Sequence, residues 1–228
     1  MKTAEIIGII PARAGSKRIA GKNIKRLGGK PLIQWTIEEA RKSKILQKVM
    51  VSTESHRIAR LSKRHGALVP ALRPKCLAKD GTPGVAPILH ACTRLKARDI
   101  VVCLQPTSPF RKAKDIDACL RLFFEKRANC VVSVSPLSRE KKLSFYLHRD
   151  GTLARHPVPK SGGENAKLWQ RVSLNGAIYA ARVQWLQRKK NFLDDDTLGY
   201  FMPARRSLDI DTMNDWREAC KKIRKHHG

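Results

Sequence analysis

The chain has 228 residues, 47 of them Lys or Arg against 19 Asp or Glu, a formal charge of +28 at pH 7. A hydrophobic content of 42% is enough for a sizeable core and argues against wholesale disorder. No window approaches 18 uninterrupted apolar residues, which excludes a membrane-spanning helix, and residues 1–5 run straight into a strand-like stretch rather than a signal-peptide core. Six cysteines (Cys76, Cys92, Cys103, Cys119, Cys130 and Cys220) show no CxxC and no histidine at zinc spacing. Four of them sit in apolar surroundings, where cysteine acts as a small hydrophobe. These features predict a protein of a reducing cytoplasm, and the charge raises nucleic-acid binding as a rival to whatever the motifs say.

In chain order, residues 6–10, 49–51, 100–104 and 130–134 are β-branched apolar runs, which read as strands of a parallel sheet buried on both faces. Residues 31–42, 55–65, 87–96 and 113–126 carry helical periodicity between them. In the first of these, Leu32, Ile33, Trp35, Thr36, Ile37 and Ala40 make a wide apolar face, and Pro31 suits a first helical turn. Strand–helix alternation repeated in this way predicts an α/β fold with right-handed crossovers. From about 136 to 174 the rhythm breaks. Pro157, Pro159 and Ser161-Gly162-Gly163 punctuate a stretch with few apolar positions, read as an excursion rather than a buried layer. The alternation resumes at 175–179 and closes with a helix over 213–225.

Two constellations carry chemistry. Residues 11–23, PARAGSKRIAGKN, follow the first strand. Glycines there let backbone N–H groups approach an anion, and Arg13, Lys17, Arg18 and Lys22 neutralise its charge. The run is not a Walker A loop, because Gly15 to Gly21 is one residue too long and Asn23 stands where Ser or Thr is required; GxGxxG is absent too. A position at the carboxyl end of the first strand favours ligand binding over a solvated surface loop. The second constellation is Asp209 and Asp211, whose i, i+2 spacing on an extended segment turns both to one side and suits a hard cation such as Mg²⁺. The competing reading has Asp211 or Thr212 cap the helix that follows, with Asp215 completing a capping-box pattern.

IIPARAGSKRIAGKNI at 9–24 with GKPLIQWTIEEA at 29–40, VSTES at 51–55, LRPKCLAKD at 72–80, LQPTSPFR at 104–111, NGAIY at 175–179 and SLDIDT at 207–212 occur in this order. Together they resemble the acylneuraminate (CMP-sialic acid synthetase-like) cytidylyltransferases and their pseudaminic and legionaminic acid relatives, over nearly the whole chain. Asn23 points to this group rather than to the related Kdo cytidylyltransferases, which usually carry proline there. The resemblance implies one nucleotidyltransferase domain over 1–228, Rossmann-like, with a mostly parallel sheet and helices on both faces. It also makes 136–174 a small protruding dimerisation excursion, hence a homodimer whose partner completes the site.

The implied reaction is attack of a sugar's anomeric hydroxyl on the α-phosphate of CTP, with Mg²⁺ on Asp209 and Asp211. Arg13, Ala14, Gly15, Ser16, Lys17, Lys22, Asn23, Arg73, Thr82 and Gly84 fall on nucleotide-binding positions. Gln105, Lys142, Asn175, Tyr179 and Phe192 fall on sugar-binding positions. Lys22 and Asp211 are the implied catalytic pair, with Asp211 orienting or deprotonating the hydroxyl. Taken alone, Arg73 before Pro74 reads as a surface arginine and Tyr179 reads equally as core.

The pattern departs in places. Asp80 is followed by Gly81-Thr82-Pro83-Gly84, so Gly84 has lost the hydroxyl that reads the base. Asn165 stands where an arginine usually grips the sugar carboxylate, leaving Lys160, Lys167 or Arg171 as substitutes, with Lys141 or Lys142 near the other carboxylate-binding lysine. Ala20 replaces a proline in the loop, which loosens it slightly. A related enzyme using another sugar or GTP, or a basic nucleic-acid-binding protein, is the alternative. Against the latter, the basic residues are spread along the whole chain, and no helix-turn-helix, zinc or RNP-like pattern occurs. Nonspecific attraction to nucleic acid is all the charge itself implies.

Overall fold

The IIGIIP run forms strand β1 (Ile6–Pro11) because both of its faces are covered: Ile6 and Ile10 enter one apolar cluster, Ile7 and Ile9 another. The computed structural model describes residues 4–137, 144–155 and 168–227. After β1 come a two-stranded hairpin of β2 (Arg26–Leu27) and β3 (Lys30–Pro31), then α1 (Leu32–Arg41), β4 (Lys48–Ser52), α2 (His56–Arg64) and α3 (Ala86–Leu95). They are followed by β5 (Ile100–Leu104), α4 (Ala113–Glu125), β6 (Cys130–Pro136), β7 (Phe145–His148), β8 (Leu153–Ala154), β9 (Trp169–Arg182), α5 (Val183–Lys189), β10 (Leu198–Phe201) and α6 (Met213–His227).

The central sheet has the order β10-β6-β9-β5-β1-β4. Helices α1, α2 and α4 pack on one face through Ile33, Ile37, Ile58, Leu120 and Phe123, and α3 and α5 on the other through Ile88, Cys92, Trp185 and Leu186. Helix α6 lies apart, with Trp216, Ala219 and Ile223 closing a third cluster over Leu27, Leu32 and Ile210. The expected α/β sheet with helices on both faces is therefore present, and the predicted helices differ from the observed ones by a residue or two at their ends. No helix among the described residues is long and apolar enough to cross a membrane. All six cysteines are free, and Cys92, Cys103, Cys119 and Cys130 are buried.

Two features depart from the sequence reading. Strand β9 runs antiparallel to both β5 and β6, whereas β10 with β6, β5 with β1 and β1 with β4 are parallel pairs. A parallel return would need a crossover over one face of the sheet, usually through a helix; the described chain between β6 and β9 supplies only the short strands β7 and β8, so β9 comes back reversed. The 136–174 stretch is also less loose than its composition implies. Phe145 and Leu147 alternate inward from β7, and with Leu153 and Val172 they are buried in the second cluster. Lys141, Lys142, Lys160, Asn165 and Lys167 lie outside the described residues.

A bulge in β9 shapes the site. Val132 of β6 pairs with Tyr179, yet Val134 pairs with Leu174, so residues 175–178 of β9 bow out opposite Ser133 alone. The Ser133 hydroxyl fills the gap, accepting from the Ile178 N–H at 2.8 Å and lying 2.6 Å from Asn175 Oδ1. Gly176 supplies the left-handed backbone, φ +76°, that the bow requires.

Candidate active site

Strands β1, β4 and β5 all end at one edge of the sheet, and the loops leaving them carry Arg13, Glu54 and Gln105. This is the edge at which open α/β sheets bind ligands. A cleft of roughly 750 Å³ opens there. Of the residues nominated from sequence, Arg13, Ser16, Lys22, Asn23, Arg73, Thr82, Gly84, Gln105, Tyr179, Phe192 and Asp211 line it. Ala14, Gly15, Lys17 and Asp209 stand beside the wall rather than on it. Lys142 is outside the described residues.

The basic loop is held by acids. Asp80 pairs with Arg13 at 2.7 Å and with Lys17 at 2.7 Å, and hydrogen bonds from Lys17 and then Arg13 hold its carboxyl below the ordinary value. Glu54 accepts from the Ala14 N–H at 2.7 Å and from Arg73 at 2.9 Å. Asn23 donates to the Arg13 carbonyl at 2.8 Å, which fixes the loop from its far end. Two expectations change. Arg73 is buried, with 4% exposure, and is no surface arginine. The Ala14 N–H, expected to face an anion, is already taken by Glu54.

Opposite the loop runs the extended segment 207–211. The Ile210 N–H donates to the Thr107 carbonyl at 2.8 Å and its side chain is buried, which anchors the segment between Asp209 and Asp211. Asp211 accepts from Lys22 at 3.1 Å and lies 3.5 Å from Arg18, while Lys22 also donates to the Ile210 carbonyl at 2.8 Å. The Asp209 carboxylate rests against Gly176, where an added Cβ would come within 3.3 Å of Oδ2. Helix capping falls to Thr212: its hydroxyl accepts from the Asp215 N–H, and Asp215 accepts from the Thr212 N–H in return. Burial pushes the Asp215 carboxyl up, but the Thr212 and Asp211 N–H groups outweigh it and the net direction is down. Asp211 is thereby left for the cleft. Upstream, Arg206 grips the fully buried Asp115 with Nη2 at 2.7 Å and Nε at 2.8 Å, which pins the segment to α4.

Asn175, expected to touch a sugar, is fully buried behind the wall. Its amide nitrogen donates to the Ser207 hydroxyl at 3.0 Å and its oxygen accepts from the Ala177 N–H at 3.1 Å, so the side chain ties the β9 bulge to the acidic segment. Another part of the cleft wall is aromatic and aliphatic, with Lys190 and Asn191 next to it in the chain. Tyr179 and Phe192 pack at 5.3 Å between ring centroids, beside Leu174 and Leu193. Burial, then Cys103 and Asp209, drive the Tyr179 phenol well above its usual range. Cys103 also lines the cleft, but burial pushes its thiol up to about 12, so it supplies no thiolate at neutral pH.

The donor set suits a hard cation. Among the described residues no cluster of three or more His, Cys, Asp or Glu side chains is placed to hold a metal. Two carboxylates with the remaining positions open are what Mg²⁺ takes when phosphate and water complete its shell. Sequence reasoning passed over Glu54, Asp80, Asp115, Arg206 and Lys190. Glu54 and Asp80 sit inside VSTES and LRPKCLAKD, where scarce acids beside a basic loop were the available signal. Asp115 and Arg206 are 91 positions apart and nothing local joins them.

Comparison with known proteins gives the family. The sequence profile of a family described as cytidylyltransferase matches residues 7–189. The CMP-N,N'-diacetyllegionaminic acid synthase of Legionella pneumophila is 35% identical over 216 residues, covering 92% of this chain and 93% of that protein. The N-acylneuraminate cytidylyltransferase of Escherichia coli is 34% identical over 94% of this chain, which spans 51% of that longer protein. Among solved structures, CMP:2-keto-3-deoxy-manno-octonic acid synthetase complexed with CTP superimposes with a TM-score of 0.79 at 19% identity, over 98% of this chain and 100% of that one. At that identity the likeness speaks for the fold.

Proposed function

The chain belongs to the cytidylyltransferase family, and from that premise we propose that it activates an acidic nine-carbon sugar of the sialic, legionaminic or pseudaminic group with CTP. The anomeric oxygen attacks the α-phosphorus, the bond to the β-phosphate oxygen breaks, and CMP-sugar and pyrophosphate leave. The observation that carries this reading is one cleft joining a basic loop, a half-exposed aspartate and an aromatic stretch of wall. It has a place for each reactant.

Arg13, Lys17 and Lys22 hold the triphosphate, and Arg73 and Thr82 face the nucleoside. Positioning and charge neutralisation are what such a transfer requires. Asp209 and Asp211 would hold Mg²⁺, which when bound neutralises charge on the phosphoryl oxygens. Asp211 also orients the attacking hydroxyl and takes its proton. Gln105 and Tyr179 contact the sugar, with Phe192 as its apolar wall. The working form is a homodimer in the cytoplasm, a setting in keeping with four buried free thiols. Sedimentation at micromolar concentration that gives a monomer would remove the dimer from this account.

The test is incubation with CTP or GTP, Mg²⁺ and a panel of nonulosonic acids, with pyrophosphate measured. Turnover with CTP and at least one such acid is expected. Asp211→Asn abolishes turnover while CTP still binds. No product from any acid, or an Asp211→Asn enzyme with normal turnover, contradicts the assignment.

A further inference from the structure

Strand β6, CVVSVSP, is buried from Cys130 to Ser135, and Ser133 in its middle is 1% exposed. A hydroxyl at that depth is costly unless its bonds are made. Ser133 stands opposite the bow of β9 and begins a hydrogen-bond relay that leaves the sheet. The Ile178 N–H donates to its oxygen at 2.8 Å, and its own hydrogen goes to Asn175 Oδ1 at 2.6 Å, the Ile178 carbonyl at 3.1 Å being the longer alternative. The Asn175 amide then donates to the Ser207 hydroxyl at 3.0 Å, and the Ser207 hydrogen ends on the Pro203 carbonyl at 3.0 Å.

The relay runs one way. Asn175 Oδ1 also accepts from the Ala177 N–H at 3.1 Å, so a flipped amide would set N–H against N–H, and the side chain has one orientation. The two serines belong to separate parts of the fold: Ser133 to the sheet core, Ser207 to the extended segment that carries Asp209 and Asp211. The bow also meets that segment directly, since the Asp209 carboxylate lies against Gly176, the residue after Asn175. Neither serine lines the cleft, and neither does Asn175, which has no exposed surface. What the three residues reach is the backbone that presents the acids.

We propose that Ser133 and Ser207 are positioning residues, which act through Asn175 to hold the Asp209–Asp211 segment where it takes a divalent cation. The role presupposes the reading of these acids as the Mg²⁺ ligands of a cytidylyl transfer. Mg²⁺ demands near-ideal octahedral geometry, so a small displacement of the segment weakens its binding. Asn175 belongs to this support and not to the contacts of the sugar. No covalent step is involved.

The experiment reads metal binding apart from turnover. Mn²⁺ is titrated into the full chain with CTP, the free ion is followed by electron paramagnetic resonance against a CTP-only blank, and kcat, both KM values and the melting temperature are measured on the same preparations. Ser133→Ala and Ser207→Ala each weaken Mn²⁺ binding by roughly 3- to 30-fold and lower kcat, while KM for the sugar moves less than about twofold. Ser207→Thr keeps the hydroxyl and retains wild-type affinity for Mn²⁺. Both serines are links of one relay, so the double variant loses little more than the worse single one. Ser207 is only partly buried, so Ser207→Ala keeps the test open where Ser133→Ala fails to fold. Serine variants that melt lower yet bind Mn²⁺ as the wild type does overturn the proposal and leave the transferase reading standing. An Asn175→Ala protein that raises KM for the sugar alone makes Asn175 a sugar contact and overturns it too. A wild-type protein that binds no Mn²⁺ beyond the blank overturns the metal reading of the acids, and the positioning role with it.

Discussion

Glu54→Ala probes the clasp beneath the basic loop. The carboxylate accepts from Arg73 at 2.9 Å and from the Ala14 N–H at 2.7 Å, and the Glu54 and Arg73 side chains are 12% and 3% exposed. Little solvent screens this pair. Removing the acid strands the guanidinium in a place where its Nε already lacks a partner, which costs about 3–5 kcal/mol. The Ala14 N–H turns to water, adding at most about 1 kcal/mol. For a domain of this size each kcal/mol moves the melting point by about 2–4 °C, so a fall of about 6–24 °C follows. The assay is calorimetric melting of wild type, Glu54→Ala, Arg73→Met and the double variant. The double variant is expected to recover at least about 2 kcal/mol relative to the sum of the singles. A Glu54→Ala loss under about 1 kcal/mol, or strict additivity, refutes the reasoning.

Further outcomes follow from the same geometry. Gly176→Ala forces a Cβ onto a φ of +76° and to within 3.3 Å of the Asp209 carboxylate, so it costs about 1–2 kcal/mol in urea melts and lowers kcat more than KM for CTP; unchanged kinetics count against coupling of the bulge to the acids. Gly84→Ser meets nothing within 4 Å and demands no left-handed backbone, so stability stays within about 0.5 kcal/mol and the CTP-to-GTP preference rises; an unaltered preference shows that this position does not read the base. His90 is held below its ordinary value by burial, then by Arg94 and Arg73, and its buried Nδ1 has no partner. The fold therefore favours neutral imidazole, and that stability is complete above about pH 6.5 and lost as pH falls through the lowered value. His90→Leu flattens the decline between pH 7 and 5 in urea melts; parallel profiles for both proteins disprove it.

Much of the fold was legible because buried parallel strands write themselves as apolar runs. β1, β5 and β6 are legible for that reason, and α1 through its periodic face. The direction of β9 was not, since NGAIYAAR is equally apolar whichever way it runs and only the connection from β6 decides. The site divides in the same way. Arg13, Lys22 and Asp211 stand in compact motifs and meet at the cleft. Asn175 stands in a motif too, yet motif membership did not distinguish contact with a ligand from support of the bulge behind it. Arg206 and Asp115 depend on a meeting across the chain that no local spacing records.

With Arg13 and Lys17 holding the triphosphate as proposed, their pairing with Asp80 bears on how a protein of charge +28 meets its nucleotide. Ordinarily an anion docking on bare cations drives off mobile ions, and its affinity falls steeply with salt. Here the ion to be exchanged is tethered to the chain, so docking swaps one carboxylate for phosphate oxygens and frees fewer ions into solution. Affinity for CTP should then vary with ionic strength far less than the adsorption of nucleic acid to the same surface. The site carries its own buffer against the salt of its surroundings.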